Sequence, residues 1–106
     1  MNTESTATQG DGPGGDDLRA GLRQMWNAVA PAWGEHAEYI DELASGMTGR
    51  MLDLTEPRPG EQVLELACGT GGLGMAAAER VAPGGEVVMS DVAAGMTAIA
   101  RERADA

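Results

Sequence analysis

Apolar side chains along this chain follow two different periods. From Asp17 onward, Leu18, Leu22, Met25 and Val29 recur three or four residues apart, the spacing that lines one face of a helix. Asp17 is placed to cap that helix, and the Ala30-Pro31 pair is expected to interrupt it. A second helical stripe carries Trp33, Ala37, Ile40 and Leu43 and is expected to end near Ser45-Gly46. A shorter helical piece with Met47, Met51 and Leu54 leads into the loop Glu56-Pro57-Arg58-Pro59-Gly60. Beyond Gly60 the period changes. Residues 61–67, EQVLELA, are short, rich in Val and Leu and bounded by glycines, which predicts a strand. Residues 72–82 are alanine-rich and helical, Pro83-Gly84-Gly85 is a turn, EVVMSD at 86–91 is a second strand, and 94–104 is a final helix.

The order from residue 61 is therefore strand, helix, strand, helix. The stretch between Gly71 and Val87 is long enough for a helical crossover, so the two strands are expected to run parallel in a right-handed β-α-β unit. Two parallel strands make a poor sheet, because such strands are usually buried on both faces. The pattern reads as the opening part of a larger α/β domain. Residues 1–17 carry only Met1 and Ala7 as apolar side chains among Gly, Thr and Asp, and are expected to form a disordered tail.

At 106 residues the chain holds one domain at most. Hydrophobic residues make up 42%, with no Phe, two Trp and one Tyr, so the core must come from Leu, Val, Met and Ala. The formal net charge is −10, from 17 acidic and 7 basic residues, which repels phosphate backbones and argues against nucleic-acid binding. One cysteine, Cys68, rules out an intrachain disulfide and points to a reducing compartment, the cytoplasm. No apolar run suits a membrane span or a secretory signal. His36 is the only histidine, and no metal-ligand spacing surrounds it, so no metal is expected. His36, Trp26 and Trp33 are read as surface or packing residues, and Cys68 as a small turn residue rather than a nucleophile.

The candidate chemistry lies in ELACGTGGLG, residues 65–74. From Gly69 the letters fit the dinucleotide fingerprint G-x-G-x-x-G; from Glu65 they read E-x-A-x-G-x-G. In either frame Gly69 and Gly71 permit a tight turn between a strand end and a helix start, where free N–H groups face a crevice. Asp91 follows Gly71 by 20 residues at the end of the next strand, the place for a carboxylate that accepts bonds from ribose hydroxyls. Glu65 adds a negative charge at the strand end. That charge suits a cofactor bearing an ammonium or sulfonium better than a pyrophosphate, unless its side chain points to solvent.

VLELACGTGGLG (63–74) with VVMSDVAAGMTAIAR (87–101) resembles the class I S-adenosylmethionine-dependent methyltransferases, especially the small-molecule branch that includes quinone-biosynthesis enzymes. The resemblance implies the N-terminal portion of a Rossmann-like doubly wound α/β fold with an incomplete sheet. It implies S-adenosyl-L-methionine as cofactor, a small-molecule methyl acceptor, and a cofactor site drawn from Glu65, Ala67, Cys68, Gly69, Gly71, Asp91, Val92 and Met96. Glu65 would lie near the methionine moiety, Asp91 would hold the ribose, and Val92 with Met96 would pack beside adenine. NAVAPAWGEHAEYI (27–40) is similar to the helical segment that covers the cofactor in many members, with Trp33 at an aromatic position. The implied organisation is a helical cap at 18–56 and a partial cofactor-binding unit at 61–106, with a second chain or an oligomer completing the sheet. Ala67 stands where the family has its first glycine. Ala93 and Gly95 stand where many relatives have a Ser/Thr cap and a helix-favouring residue, so the final helix is expected to begin less firmly. No catalytic base is assigned. Two other readings stay open: part of an NAD(P)-dependent oxidoreductase, and a non-catalytic remnant or interaction module.

Overall fold

Short parallel strands need a crossover between them, and here the crossover is a helix. The computed structural model describes residues 14–106. Three helices come first: α1 (Gly15–Glu35), α2 (Ala37–Leu43) and α3 (Ser45–Thr55). Then β1 (Gln62–Glu65), α4 (Gly72–Val81), β2 (Glu86–Met89) and α5 (Ala94–Asp105) complete the order. β1 and β2 pair in parallel with Val63 opposite Val87 and Glu65 opposite Met89. This is the helix–strand–helix arrangement of the front of a Rossmann-like fold, with an open two-stranded sheet among the described residues.

The strand side chains alternate as a half-buried sheet requires. Val63, Glu65, Val87 and Met89 are half-buried, and Glu65 and Met89 reach the first turn of α4 at Gly74. Leu64 and Val88 project from the other face, where they remain 65% and 51% exposed. The core is built from small residues. Leu52, Ala77 and Val81 are buried around the sheet, and Ala30, Ala93 and Met96 form a second cluster where α1 meets α5.

Three expectations for the N-terminal part need correction. Of the tail expected at 1–17, residues 1–13 lie outside the described residues, and Gly15, Asp16 and Asp17 are already helical. Asp17 does not cap α1: Gly14 holds that position, and Asp16 and Asp17 occupy the first turn, where acidic groups complement the helix dipole. Nor does the helix break at Ala30-Pro31. α1 runs through Pro31 to Glu35, and the chain turns at His36 instead. Proline inside a helix removes one ladder bond and costs about 3 kcal/mol in isolation. Tertiary packing on both sides of Pro31 offsets it, since Ala30 is buried against α5 and Gly34 lies on Ile99. No helix among the described residues is long and apolar enough to cross a membrane.

Candidate cofactor site

The turn after β1 is shaped by three left-handed residues in five. Ala67, Gly69 and Gly71 have φ of 58°, 55° and 94°. Glycine adopts this region freely, whereas Ala67 holds it against its own Cβ at a cost of roughly 1 kcal/mol. The turn is bound to the second strand's end from both directions. Cys68 N–H donates to the Ser90 carbonyl at 2.8 Å, and Ser90 Oγ donates to the Glu65 carbonyl at 2.8 Å.

Asp91 joins the turn to α5. Its Oδ2 accepts from the Gly69 amide at 2.9 Å and its Oδ1 from the Ala93 amide at 2.9 Å. A carboxylate has about four lone-pair sites, so one on each oxygen is left to accept from a ligand. Arg103 steadies the far side of the turn. Its guanidinium donates to the Thr70 carbonyl at 2.9 Å and to Asp41 on α2 at 2.5 Å.

A cavity of roughly 310 Å³ opens over this turn, lined by Ala67, Gly69, Thr70, Asp91, Val92 and Met96 from the β-α-β-α part. Trp26 and Trp33 from α1 complete its wall, with ring centroids 6.5 Å apart and planes tilted by 56°. Five of the eight residues expected from the sequence thus meet at one cavity. The other three do not line it. Cys68 is buried behind the turn, and Gly71 is packed close to Ala100 and Met89. Glu65 turns toward α4 and borders a neighbouring apolar cavity with Val63, Leu73 and Ala77.

Burial, followed by repulsion from Asp91, raises the Glu65 pKa above the ordinary 4.5, and its Oε1 is buried with no hydrogen-bond partner. Burial is likewise the main cause that raises the Cys68 thiol, with Asp91 and Glu65 adding to it, so the thiol stays protonated at neutral pH. The native state therefore holds the Glu65 proton more tightly than the unfolded chain does. The ionised side chain penalises the fold above its native pKa, and acidification through that pKa toward 4.5 relieves the penalty. Glu65→Gln is accordingly expected to melt higher than wild type at pH 7, with the difference shrinking as the pH falls to 5. Thermal denaturation at the two pH values checks this, and a constant difference would contradict the charge argument.

Trp26 and Trp33, read from the sequence as packing residues, are 38% and 41% exposed and form a cavity wall instead. The sequence placed them on separate helices, and only the continuation of α1 through Pro31 brings both to one face, seven residues apart. Thr70 was legible as the residue between two turn glycines. Arg103 and Asn27 carried no local signal, because their partners lie 33 and 68 residues away.

A parallel β-α-β unit with a left-handed turn facing an acid at the next strand's end defines a Rossmann-like nucleotide-cofactor unit. Residues 63–106 match the Methyltransferase domain family, and through this segment the chain matches a class I S-adenosylmethionine-dependent methyltransferase family. The family's cofactor is S-adenosyl-L-methionine. Nocamycin O-methyltransferase of Saccharothrix syringae is 51% identical over 57 residues, covering 53% of this chain and 20% of the relative. Demethylmenaquinone methyltransferase of Symbiobacterium thermophilum is 45% identical over 49 residues, covering 46% of this chain and 20% of the relative. The ubiquinone/menaquinone biosynthesis C-methyltransferase of Cereibacter sphaeroides is 36% identical over 74 residues, covering 65% of this chain and 29% of the relative. The matches thus span between 20% and 29% of the length of these curated relatives. No solved structure matches the chain.

Proposed function

We propose that this chain forms the cofactor-binding part of an S-adenosylmethionine-dependent methyltransferase acting on a small-molecule acceptor. The observation that carries the reading is Asp91, held at the cavity by two backbone amides with acceptor capacity to spare. That spare capacity fits the two hydroxyls of an adenosine ribose. Val92, Met96 and the two tryptophans supply apolar surface for the purine ring, and the Ala67–Gly69 turn lets the ligand approach the backbone. The acid that lines the cavity is Asp91, whose negative charge favours an ammonium or sulfonium over a pyrophosphate, while Glu65 faces α4. When bound, the cofactor supplies a methyl group on a sulfonium that is its own leaving group. The chain's own part is to bind and orient it, and Cys68, buried and protonated, takes no share.

The small-molecule acceptor is supported by the relatives' names, which specify nocamycin, demethylmenaquinone and ubiquinone or menaquinone biosynthesis. The division into a helical cap at 18–56 and a cofactor unit at 61–106 belongs to this proposal. So does a cytoplasmic location, supported by the single reduced cysteine. Leu64, Leu66 and Val88 leave an apolar sheet face that further polypeptide, in this chain or a second, would cover. Titration calorimetry of the 106-residue chain tests the reading. Saturable micromolar binding of S-adenosylhomocysteine is expected. Saturable NADH binding without it would overturn the proposal.

A further inference from the structure

The first turn of α5 lacks a capping side chain of its own. Its N-cap residue is Ala93, and no side chain from that position bonds the helix. The amide of Gly95, one of the N–H groups that a helix start leaves without an internal partner, instead donates to Asn27 Oδ1 of α1 at 2.7 Å. Gly95 is shaped for this contact. A Cβ there would lie 2.9 Å from Asn27 Oδ1 and 3.2 Å from the Ala30 methyl. Around the bond, Ala30 packs with Ala93 and Met96, and Gly34 lies so close to Ile99 that a Cβ would come within 2.9 Å of its Cδ1.

The position matters for the site. Trp26 immediately precedes Asn27, Trp33 follows about two turns later, and both wall the cavity that is also lined by Val92, just before α5, and Met96 in its first turn. The same Asn27 gives its carbonyl no ladder partner, because Pro31 has no N–H to donate. The helix is thus weakest in its own hydrogen bonding where it is fastened to α5. We propose that Asn27 is a positioning residue: its amide oxygen serves as the cap of α5 from another helix, and this bond seats Trp26 and Trp33 over the cofactor cavity. Seating of α1 and occupation of the cavity are then linked, since a ligand that touches the tryptophans favours the fastened state. The ligand arm of this inference rests on the cofactor reading; the fastening itself does not.

The test uses the whole chain with Asn27→Ala, Asn27→Asp and Gly95→Ala, read by three measurements. They are hydrogen exchange at the Gly95 amide (in Gly95→Ala, at the new Ala amide), acrylamide quenching of tryptophan emission, and calorimetry with S-adenosylhomocysteine. Both tryptophans of the chain lie on α1, so the emission reports this helix alone. Asn27→Ala and Gly95→Ala are expected to speed that exchange and weaken ligand binding about tenfold each, and to raise quenching, with unchanged helix content. Asn27→Asp keeps an acceptor oxygen and is expected to retain protection and wild-type quenching. Wild-type protection and quenching in Asn27→Ala would overturn the fastening, and so would equal loss in Asn27→Asp. Equal ligand affinity of wild type and Asn27→Ala would overturn the link to the site while the cofactor reading stands. If wild type bound no S-adenosylhomocysteine but exchange and quenching responded, the cofactor reading would fail and the fastening would hold.

Discussion

Asp91→Ala is expected to weaken S-adenosylhomocysteine binding by about 100-fold or more and to destabilise the fold as well. Both effects come from one carboxylate. Removing it deletes the two free acceptor positions proposed for the ribose hydroxyls, and a hydrogen bond to a charged group contributes about 1.5–3 kcal/mol. It also strands the amides of Gly69 and Ala93, which Asp91 holds at 2.9 Å each. Water reaches this half-buried site, so we expect a stability loss of about 1–3 kcal/mol rather than the sum of two charged bonds. Asp91→Asn separates the roles. Its single carbonyl oxygen can satisfy one of the two amides, while its NH2 group faces the other donor to donor, giving intermediate stability. Calorimetry and thermal denaturation on the three proteins measure both quantities. Binding by Asp91→Ala within threefold of wild type would remove Asp91 from the cofactor site.

The largest loss of stability is expected from a position outside the site. At Gly85 an added Cβ would fall 2.5 Å from the Glu61 carbonyl oxygen and 2.5 Å from Val81 Cβ, and against the Val81 carbonyl. None of these atoms is free to move. The Val81 carbonyl accepts from Gly60 at 2.8 Å and from Gly85 itself at 3.0 Å, and the Glu61 carbonyl accepts from Glu86 at 3.0 Å. Relief would require separating the end of α4 from the starts of both strands. Gly85→Ala is therefore expected to cost about 3 kcal/mol, at the upper end for overpacking. Much of a small domain's total stability would be lost. Urea unfolding should show a lowered midpoint with an unchanged slope. A loss below about 0.5 kcal/mol would mean that the strands start less rigidly than these bonds imply. Gly74 offers the contrast. A Cβ there would meet Met89 and the end of Glu65, side chains that can swing aside, so the third glycine of the G-x-G-x-x-G frame is a packing position and a milder one.

The β-α-β part was readable because its signals are local. Val63, Leu64 and Leu66 between glycines predict a strand, and the observed β1, α4, β2 and α5 fall within a few residues of the expected spans. Parallel pairing followed from the length of the crossover, and Val63 indeed faces Val87. Five of the proposed site residues also meet at one cavity, since a glycine turn and an acid 20 residues on are fixed by strand and helix lengths alone. Glu65 kept its place at the strand end, but alternation within a strand does not say which face a helix will cover. It faces α4, and its unpartnered oxygen is a consequence of that packing.

The helical region shows the other limit. Pro31 was a sound local reason to end a helix, and Ala93 a sound reason to expect a weak start for α5. Both expectations concerned one segment at a time. In the fold, α1 and α5 cross so closely that Gly34 and Gly95 have no room for a Cβ, and Asn27 supplies the missing cap. Packing against a second helix outweighs a single lost ladder bond, and a donor left over in one element is satisfied by an acceptor 68 residues away. The amino-acid sequence by itself determined the order of elements, the turn and its acid, because periodicity and glycine placement act over a few residues. Only the tertiary structure decided that α1 continues past its proline and that two tryptophans wall the site. Those outcomes depend on which surfaces meet, and no local pattern encodes that.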